Sequence, residues 1–185
     1  MARTPTTQIP LGFKAPNFSL PDVLSSKNIA LENVSKKNGL VVMFICNHCP
    51  FVIHVMDQII AVATDYLSKE IGFVAISSND VDNYPDDSPE KMKALAIEKK
   101  FPFPYLYDES QDVAKQYDAA CTPDFSVFDK NLTCVYRGQL DGSRPGNDIE
   151  NNGTDLRKVL DYILEGRKLD FEQLPSIGCN IKWKQ

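Results

Sequence analysis

Two cysteines separated by two residues are the pair best placed to do chemistry in this chain. Cys46 and Cys49 enclose Asn47 and His48, and Pro50 follows directly. When such a pair lies at the start of a helix, the first helical turn brings the two sulfurs close enough to close a small disulfide ring. The spacing therefore predicts reversible thiol–disulfide chemistry at Cys46 and Cys49.

The surrounding elements are predicted to place this pair where a strand ends and a helix begins. Residues 40–45 form a continuous apolar, partly β-branched run, which is typical of a central strand covered on both faces. From Pro50 to about residue 68, apolar side chains recur at helical spacing, and proline is favoured in the first turn of a helix. We therefore expect the cysteines at the N-terminus of this helix.

A helix N-terminus assigns different roles to the two thiols. Unpaired amides and the helix dipole stabilise a thiolate, so we expect a lowered pKa at Cys46, at or just before the first turn. A protonated His48 would lower the Cys46 pKa further, and a lower pKa raises the reduction potential of the pair. Cys46 is thus predicted to be the attacking thiolate, and Cys49 the buried thiol that resolves the mixed disulfide.

Two other interpretations of the pair stay open. Many zinc sites also begin with this spacing, but the chain lacks a second closely spaced pair, because Cys121 and Cys134 stand twelve positions apart. The pair could also be two buried thiols without a function. We expect no metal site and no cofactor.

The other three of the five cysteines have less definite roles. Cys121 could approach Cys46 as an auxiliary thiol, but burial as a small hydrophobic side chain is favoured. Burial is favoured for Cys134 as well. Cys179 either packs against the domain, which we favour, or acts as a distant resolving thiol.

The rest of the chain alternates strands and helices, which predicts an α/β fold with a central mixed sheet flanked by helices. A right-handed crossover makes strand 40–45 a neighbour of strand 72–77. Further strands are predicted at 105–107, 124–128 and 133–136, the last two as a hairpin, and further helices at 88–100, 110–119 and 154–166.

Composition and charge exclude several classes of function. The 185 residues are 43% hydrophobic and 24% charged, and we expect a single domain over 1–185, with an N-terminal extension at 1–35 and a packed C-terminal tail at 170–185. With 20 basic and 25 acidic residues, the chain has no electrostatic footprint for nucleic acid or an anionic membrane. It also lacks a signal-peptide core and a spanning segment, which predicts a cytoplasmic protein.

Three secondary features complete the expectations. The aspartate-rich stretch 80–87 is interpreted as a solvated loop, because it lacks the ligand pattern of a calcium loop. His54 is expected to be a partly exposed helical residue. Trp183, the only tryptophan, is expected to anchor the C-terminal tail.

Three segments carry a resemblance to a known family. The Cys46–Pro50 motif after an apolar strand resembles a thioredoxin-fold active site, and Thr122-Pro123 resembles the cis-proline position of that fold. Residues 12–22 (GFKAPNFSLPD) are similar to the opening of the alkyl hydroperoxide reductase and thiol-specific antioxidant superfamily. Together with the segment IGCNIKW at 177–183, they resemble its peroxiredoxin-like branch with a Cys-Asn-His-Cys-Pro site.

This resemblance implies a thioredoxin fold in which a substrate backbone pairs beside the cis-proline. Thr122, Pro123 and Asn47 are the implied substrate-binding residues. A peroxidatic site of the superfamily has threonine or serine three positions before its reactive cysteine, and this chain has Cys46 at that position, before Cys49.

The predicted function is therefore thiol–disulfide exchange with catalytic residues Cys46, Cys49 and His48. Its expected partners are a protein or small-molecule disulfide as substrate and an external thiol as electron donor. Two alternatives are a peroxiredoxin-like thiol peroxidase, in which one cysteine of the pair is oxidised to sulfenic acid, and a non-enzymatic redox-sensing module.

Overall fold

A computed structural model describes residues 3–185. Its strands, in chain order, are β1 (Arg3–Pro5), β2 (Ser19–Pro21), β3 (Asn28–Ala30), β4 (Gly39–Phe44), β5 (Ile71–Ser77), β6 (Tyr105–Tyr107), β7 (Cys121–Thr122), β8 (Asp124–Asp129), β9 (Cys134–Gly138) and β10 (Ile177–Asn180). Its α-helices are α1 (Leu31–Val34), α2 (Pro50–Leu67), α3 (Pro89–Glu98), α4 (Asp112–Gln116) and α5 (Thr154–Leu164), and a 3₁₀ turn covers Pro85–Asp87. None of these helices is long and apolar enough to cross a membrane.

The central sheet is mixed and almost wholly buried. Strand β8 pairs antiparallel with both β4 and β9, and β5 pairs parallel with β6. Strands β4 and β5 lie side by side, and the Ile45 amide donates to the Ile76 carbonyl at 3.0 Å. Every residue of β4 and β5 is buried, as the apolar run of a strand covered on both faces requires.

Alternate residues of β4 point into two separate hydrophobic clusters, one on each face of the sheet. Val41 and Met43 pack with α2 and α5, whereas Val42 and Phe44 pack with Tyr117 and the N-terminal segment. This division follows from the two-residue period of a strand. The packing on both faces fixes the C-terminal end of β4 between the two clusters. The loop that carries the cysteines begins at this end.

A second, smaller sheet joins the two ends of the chain. Strand β10 pairs antiparallel with β1 on one side and with β7 on the other, and Cys179 lies opposite Thr122. The predicted extension 1–35 forms β1 to β3 and α1 over its described part, while residues 1 and 2 lie outside the described residues. Trp183 is 41% exposed, so the prediction that it anchors the tail is wrong.

Most predicted elements are confirmed with small shifts at their ends. The largest difference is α4, which covers five residues where 110–119 was predicted. Gln111 adopts a left-handed conformation (φ 65°) before the first turn, and Asp118 does the same (φ 49°) after the last. Left-handed residues cannot continue a right-handed helix, so α4 ends early at both sides.

Candidate active site

The helix that carries the redox motif begins at Pro50, so its N-cap is Cys49. Cys46 lies three residues earlier, in the loop that follows β4. Pro50 occupies the first helical position, where the missing amide hydrogen leaves no bond unmade. The first-turn proline is thus confirmed, and Cys46, which is predicted at or just before the helix N-terminus, lies three residues before the N-cap.

Both sulfurs of the motif are buried and in contact with each other. Cys46 is 1% exposed and Cys49 is 0% exposed. The two thiols lie close enough for each to shift the pKa of the other. Thr122 contacts both residues: its hydroxyl lies 3.3 Å from the Cys46 sulfur, and its carbonyl accepts from a protonated Cys49 at 3.2 Å.

Ionisation of the pair is favoured at Cys49. Its pKa is lowered because the Cys46 thiol and the Cys179 thiol donate to its sulfur, as do the backbone amides of Val52 and Cys179. The pKa of Cys46 is raised, because its thiol donates to Cys49, is buried, and lies near the negative charge of Asp87. The prediction of a lowered pKa at Cys46 is therefore wrong, and the main physical reason is that the Cys46 thiol serves as a donor to Cys49.

The side chain of Asp87 organises the loop between the cysteines. It is fully buried, and its Oδ1 accepts from the amides of Asn47 at 2.8 Å and His48 at 3.3 Å. Its Oδ2 accepts from the Asn79 side chain at 2.7 Å and lies 2.7 Å from the His48 Nδ1. The prediction that stretch 80–87 is a solvated loop is wrong for this residue and for Asp80, which is also buried.

The ring of His48 lies against the carboxylate of Asp87. Its ring stacks on Tyr84 with a centroid distance of 5.7 Å, and its side chain is 28% exposed. Because the His48 Nδ1 lies beside the Asp87 carboxylate, the negative charge of Asp87 would largely cancel the effect of a positive charge on His48 at the Cys46 sulfur. The histidine is therefore held as a partner of Asp87 at the edge of the site.

Three side chains of this cluster could offer ligands to a metal ion. One ligand atom each from Cys46, His48 and Asp87 lies within 4.8 Å of the other two. Among the described residues, this is the group of side chains that is placed to hold an ion. The expectation that the chain has no metal site stays a prediction.

Asn47 lies on the outer side of the motif. Its side-chain oxygen accepts from the Tyr105 hydroxyl at 3.1 Å, and its side-chain nitrogen donates to the Asp86 carbonyl at 2.8 Å. With His48 it lines an open groove of about 350 Å³ that continues along α3. This groove is the solvent-facing approach to the motif.

The peptide bond between Thr122 and Pro123 is cis. The backbone edge of Thr122, which was expected to receive a substrate strand, is paired with Cys179 of β10. Cys121 directs its thiol to the Pro123 carbonyl, 3.7 Å away. Successive residues of a strand point to opposite faces, so Cys121 lies on the other side of β7 from the Thr122 hydroxyl that contacts Cys46.

The remaining predicted features lie away from the redox pair. Cys134 is buried, as expected, and its thiol points to the Tyr136 carbonyl. His54 is half-buried, and its Nε2 lies 2.6 Å from the Ser143 hydroxyl, so it is more constrained than an exposed helical residue.

Sequence reasoning missed Asp87, and it favoured packing over a resolving role for Cys179. A signal for Asp87 was available: β4 and β5 are neighbours, so the segment after β5 returns beside the cysteine loop after β4. Cys179 offered no such local signal, because its contact with Cys49 joins residues far apart in the chain.

Solved structures share this fold over almost the whole chain. An uncharacterized conserved protein from Geobacillus kaustophilus is 55% identical with a TM-score of 0.98, covering 100% of this chain and 97% of that one. A hypothetical protein from Sinorhizobium meliloti is 42% identical with a TM-score of 0.95, covering 98% of each chain.

More distant neighbours confirm the predicted thioredoxin fold. A thioredoxin family thiol:disulfide interchange protein from Chlorobium tepidum has 15% identity and a TM-score of 0.64, covering 85% of this chain and 99% of that one. A search of curated proteins found no match. The segment that contains the redox pair, Asp87 and the cis-proline, residues 11–137, matches the AhpC/TSA family, and the chain belongs to this family.

Proposed function

We propose that this protein is a thiol–disulfide oxidoreductase in which Cys49 is the nucleophile and Cys46 the resolving thiol. The observation that carries the proposal is the contact between the two sulfurs at the N-cap of α2, where the Cys46 thiol donates to Cys49. Such a contact lowers the pKa of one sulfur and keeps the second one within reach. Both properties are needed for disulfide exchange.

The reaction begins with attack of the Cys49 thiolate on one sulfur of a protein or small-molecule disulfide. The substrate disulfide breaks, its second sulfur leaves as a thiolate, and a mixed disulfide forms at Cys49. The departed thiolate takes up the proton of Cys46, and the Cys46 sulfur then attacks the Cys49 sulfur. The bond between Cys49 and the substrate breaks, the second substrate sulfur leaves as a thiolate, and a Cys46–Cys49 disulfide remains, which an external thiol donor reduces.

The surroundings of Cys46 support its role in the second step. Ligand atoms of His48 and Asp87 lie within 4.8 Å of its sulfur and of each other, so a proton leaving Cys46 has an acceptor nearby. Since neither sulfur is exposed, turnover includes an opening of the motif loop or of β10 before substrate contact.

Serine variants of the two cysteines test the assignment. Cys49→Ser should abolish exchange with oxidised glutathione, whereas the double variant Cys46→Ser/Cys179→Ser, which lacks both thiols beside Cys49, should accumulate glutathione in a mixed disulfide at Cys49. Cys134→Ser is the matched control, because it removes another buried thiol that contacts a carbonyl in β9. Full turnover by Cys49→Ser, or a mixed disulfide trapped at Cys46, would reject the assignment.

A peroxidase is the second candidate, and the lowered pKa of Cys49 is the observation that favours it. Cys49 is the position at which the superfamily carries its reactive cysteine, and a thiolate there would be oxidised by a hydroperoxide to sulfenic acid with release of water or alcohol. Cys46 would then resolve the sulfenic acid. Stopped-flow consumption of hydroperoxide far faster than by a small thiol would support this activity.

A further inference from the structure

The C-terminal strand occupies the edge beside the redox pair in a fixed register. Cys179 lies opposite Thr122, and Asn180 lies opposite Cys121. A Cβ atom on Gly178 would lie 1.9 Å from the Thr122 carbonyl oxygen, so this close approach requires glycine. The register therefore delivers the side chain of the next residue, Cys179, to the same point each time the strand docks.

Hydrogen bonds hold the strand on both sides of Cys179. Before it, the Ser176 hydroxyl donates to the Pro123 carbonyl at 2.6 Å. After it, the Lys182 amide donates to the Asn79 side chain at 2.8 Å, and the Gln111 side chain donates to the Lys182 carbonyl at 2.8 Å. These hydrogen bonds on both sides of Cys179 fix its position.

The thiol of Cys179 reaches the nucleophile itself. Cys179 is 4% exposed, belongs to the same buried cluster as Cys46 and Cys49, and lies opposite Thr122, whose carbonyl oxygen is 3.2 Å from the Cys49 sulfur. Cys49 therefore lies beside two thiols, one from its own motif and one from β10. A sulfur in contact with two thiols has two possible disulfide partners.

We infer that Cys179 is a third redox residue, which takes over the disulfide from Cys46 and forms a Cys49–Cys179 bond. The inference rests on the proposed function for the first oxidation, which yields the Cys46–Cys49 disulfide. The Cys179 sulfur then attacks the Cys49 sulfur, the bond to Cys46 breaks, and Cys46 takes up the proton that Cys179 loses. Two electrons stay within the three sulfurs, so this exchange needs no further oxidant.

Oxidation of the motif removes one of the causes that keep Cys179 protonated. In the reduced protein the pKa of Cys179 is raised to about 12, first by burial and then by its contact with Cys49. Once Cys49 is part of a disulfide, its negative charge is gone, and burial, the larger cause, remains. The Cys179 thiol therefore gives up its proton more readily after the motif is oxidised than before.

The exchange has a consequence for access to the site. A Cys49–Cys179 bond ties β10 to the N-terminus of α2 across the edge of Thr122. Cys46 is returned to the thiol state while Cys49 is held in a disulfide. The edge beside the cis-proline then stays closed until an external thiol reduces the new bond.

Disulfide mapping in the full-length protein tests this relay. Wild type, Cys46→Ser, Cys179→Ser and the control Cys134→Ser are oxidised with diamide, quenched in acid, alkylated, digested and mapped by mass. In Cys46→Ser we expect one disulfide that joins Cys49 and Cys179, so that neither residue is alkylated. Cys179→Ser should contain the Cys46–Cys49 bond alone, and wild type should show the Cys46–Cys49 bond first and the Cys49–Cys179 bond later.

The outcomes separate the relay from the proposed function. Complete alkylation of Cys179 in oxidised Cys46→Ser would overturn the relay, even if wild type still exchanges disulfides through Cys46 and Cys49. If wild type does not turn over glutathione disulfide, the proposed function fails, but diamide still shows whether Cys49 pairs with Cys179. Since Cys46→Ser leaves β10 intact, a folding defect of Cys179→Ser does not affect the result.

Discussion

Replacement of Asp87 by asparagine should both destabilise the protein and change the pKa of Cys46 in the redox motif. One carboxylate oxygen of Asp87 accepts from the amides of Asn47 and His48, and the other accepts from the Asn79 side chain and lies 2.7 Å from the His48 Nδ1. An asparagine has one oxygen and one NH₂ group in the same positions. Whichever way it is turned, the NH₂ group must face at least one donor.

The less unfavourable orientation sets the size of the effect. Asn47 and His48 are partly exposed, so their amides retain some access to water, whereas Asn79 is 3% exposed. The NH₂ group should therefore face the Asn47 and His48 amides. Leaving two partly buried donors unpaired costs about 2–3 kcal/mol, at the low end of the usual penalty. For a protein of this length this corresponds to a decrease in Tm of roughly 4–12 °C.

Thermal unfolding of Asp87→Asn beside Asp86→Asn measures this effect. Asp86 carries the same charge one residue earlier, but it is exposed and pairs with Lys91 on the surface, so its replacement should leave Tm almost unchanged. Loss of the Asp87 charge should also lower the pKa of Cys46. A Tm for Asp87→Asn equal to that of Asp86→Asn would show that the buried carboxylate does not hold the motif loop.

Three further changes test other contacts of the site. Thr122→Val removes the hydroxyl 3.3 Å from Cys46 and keeps the carbonyl beside Cys49, so it should raise the Cys46 pKa and slow release of a mixed disulfide in single-turnover assays. Gly178→Ala should displace β10 and speed hydrogen exchange of its amides, while Gly142→Ala, whose nearest contact would be 3.4 Å, should not. Because the pKa of Cys49 is lowered from 9.0, its thiolate should absorb near 240 nm below neutral pH. The stability that this shift contributes is present above pH 9.0 and is lost as the pH falls toward the folded-state pKa, so the unfolding free energies of wild type and Cys49→Ser should converge in acid.

The layers around the site could be predicted from the sequence because their signals are local. The apolar run before Cys46 and the helical spacing after Pro50 describe β4 and α2 within one or two residues. The turn at 130–133 similarly predicts the β8–β9 hairpin. In each case, neighbouring residues in the chain determine which face is buried, so a short window of sequence contains enough information.

The contacts that shift the pKa values of the thiols join residues far apart in the chain. The types of these residues do not predict the contacts. Asp87 is of a residue type usually found on the surface and follows another aspartate, Asp86, but the neighbouring positions of β4 and β5 bring three donors around it. Cys179 reaches Cys49 only because β10 pairs with β7. Short strands such as β1, β7 and β10 derive their stability from this pairing and leave little periodic signal of their own.

The exchanged roles of Cys46 and Cys49 follow from a signal that the sequence does contain. Proline is favoured at the first helical position, and the N-cap is the residue immediately before it. With Pro50 in that position, the N-cap is Cys49, so the amides at the helix start stabilise charge on the second cysteine of the motif. Cys46 then lies one turn outside the helix, near a buried carboxylate, where a thiol keeps its proton. In the proposed function, one residue in the placement of a helix start therefore changes which sulfur attacks and which resolves.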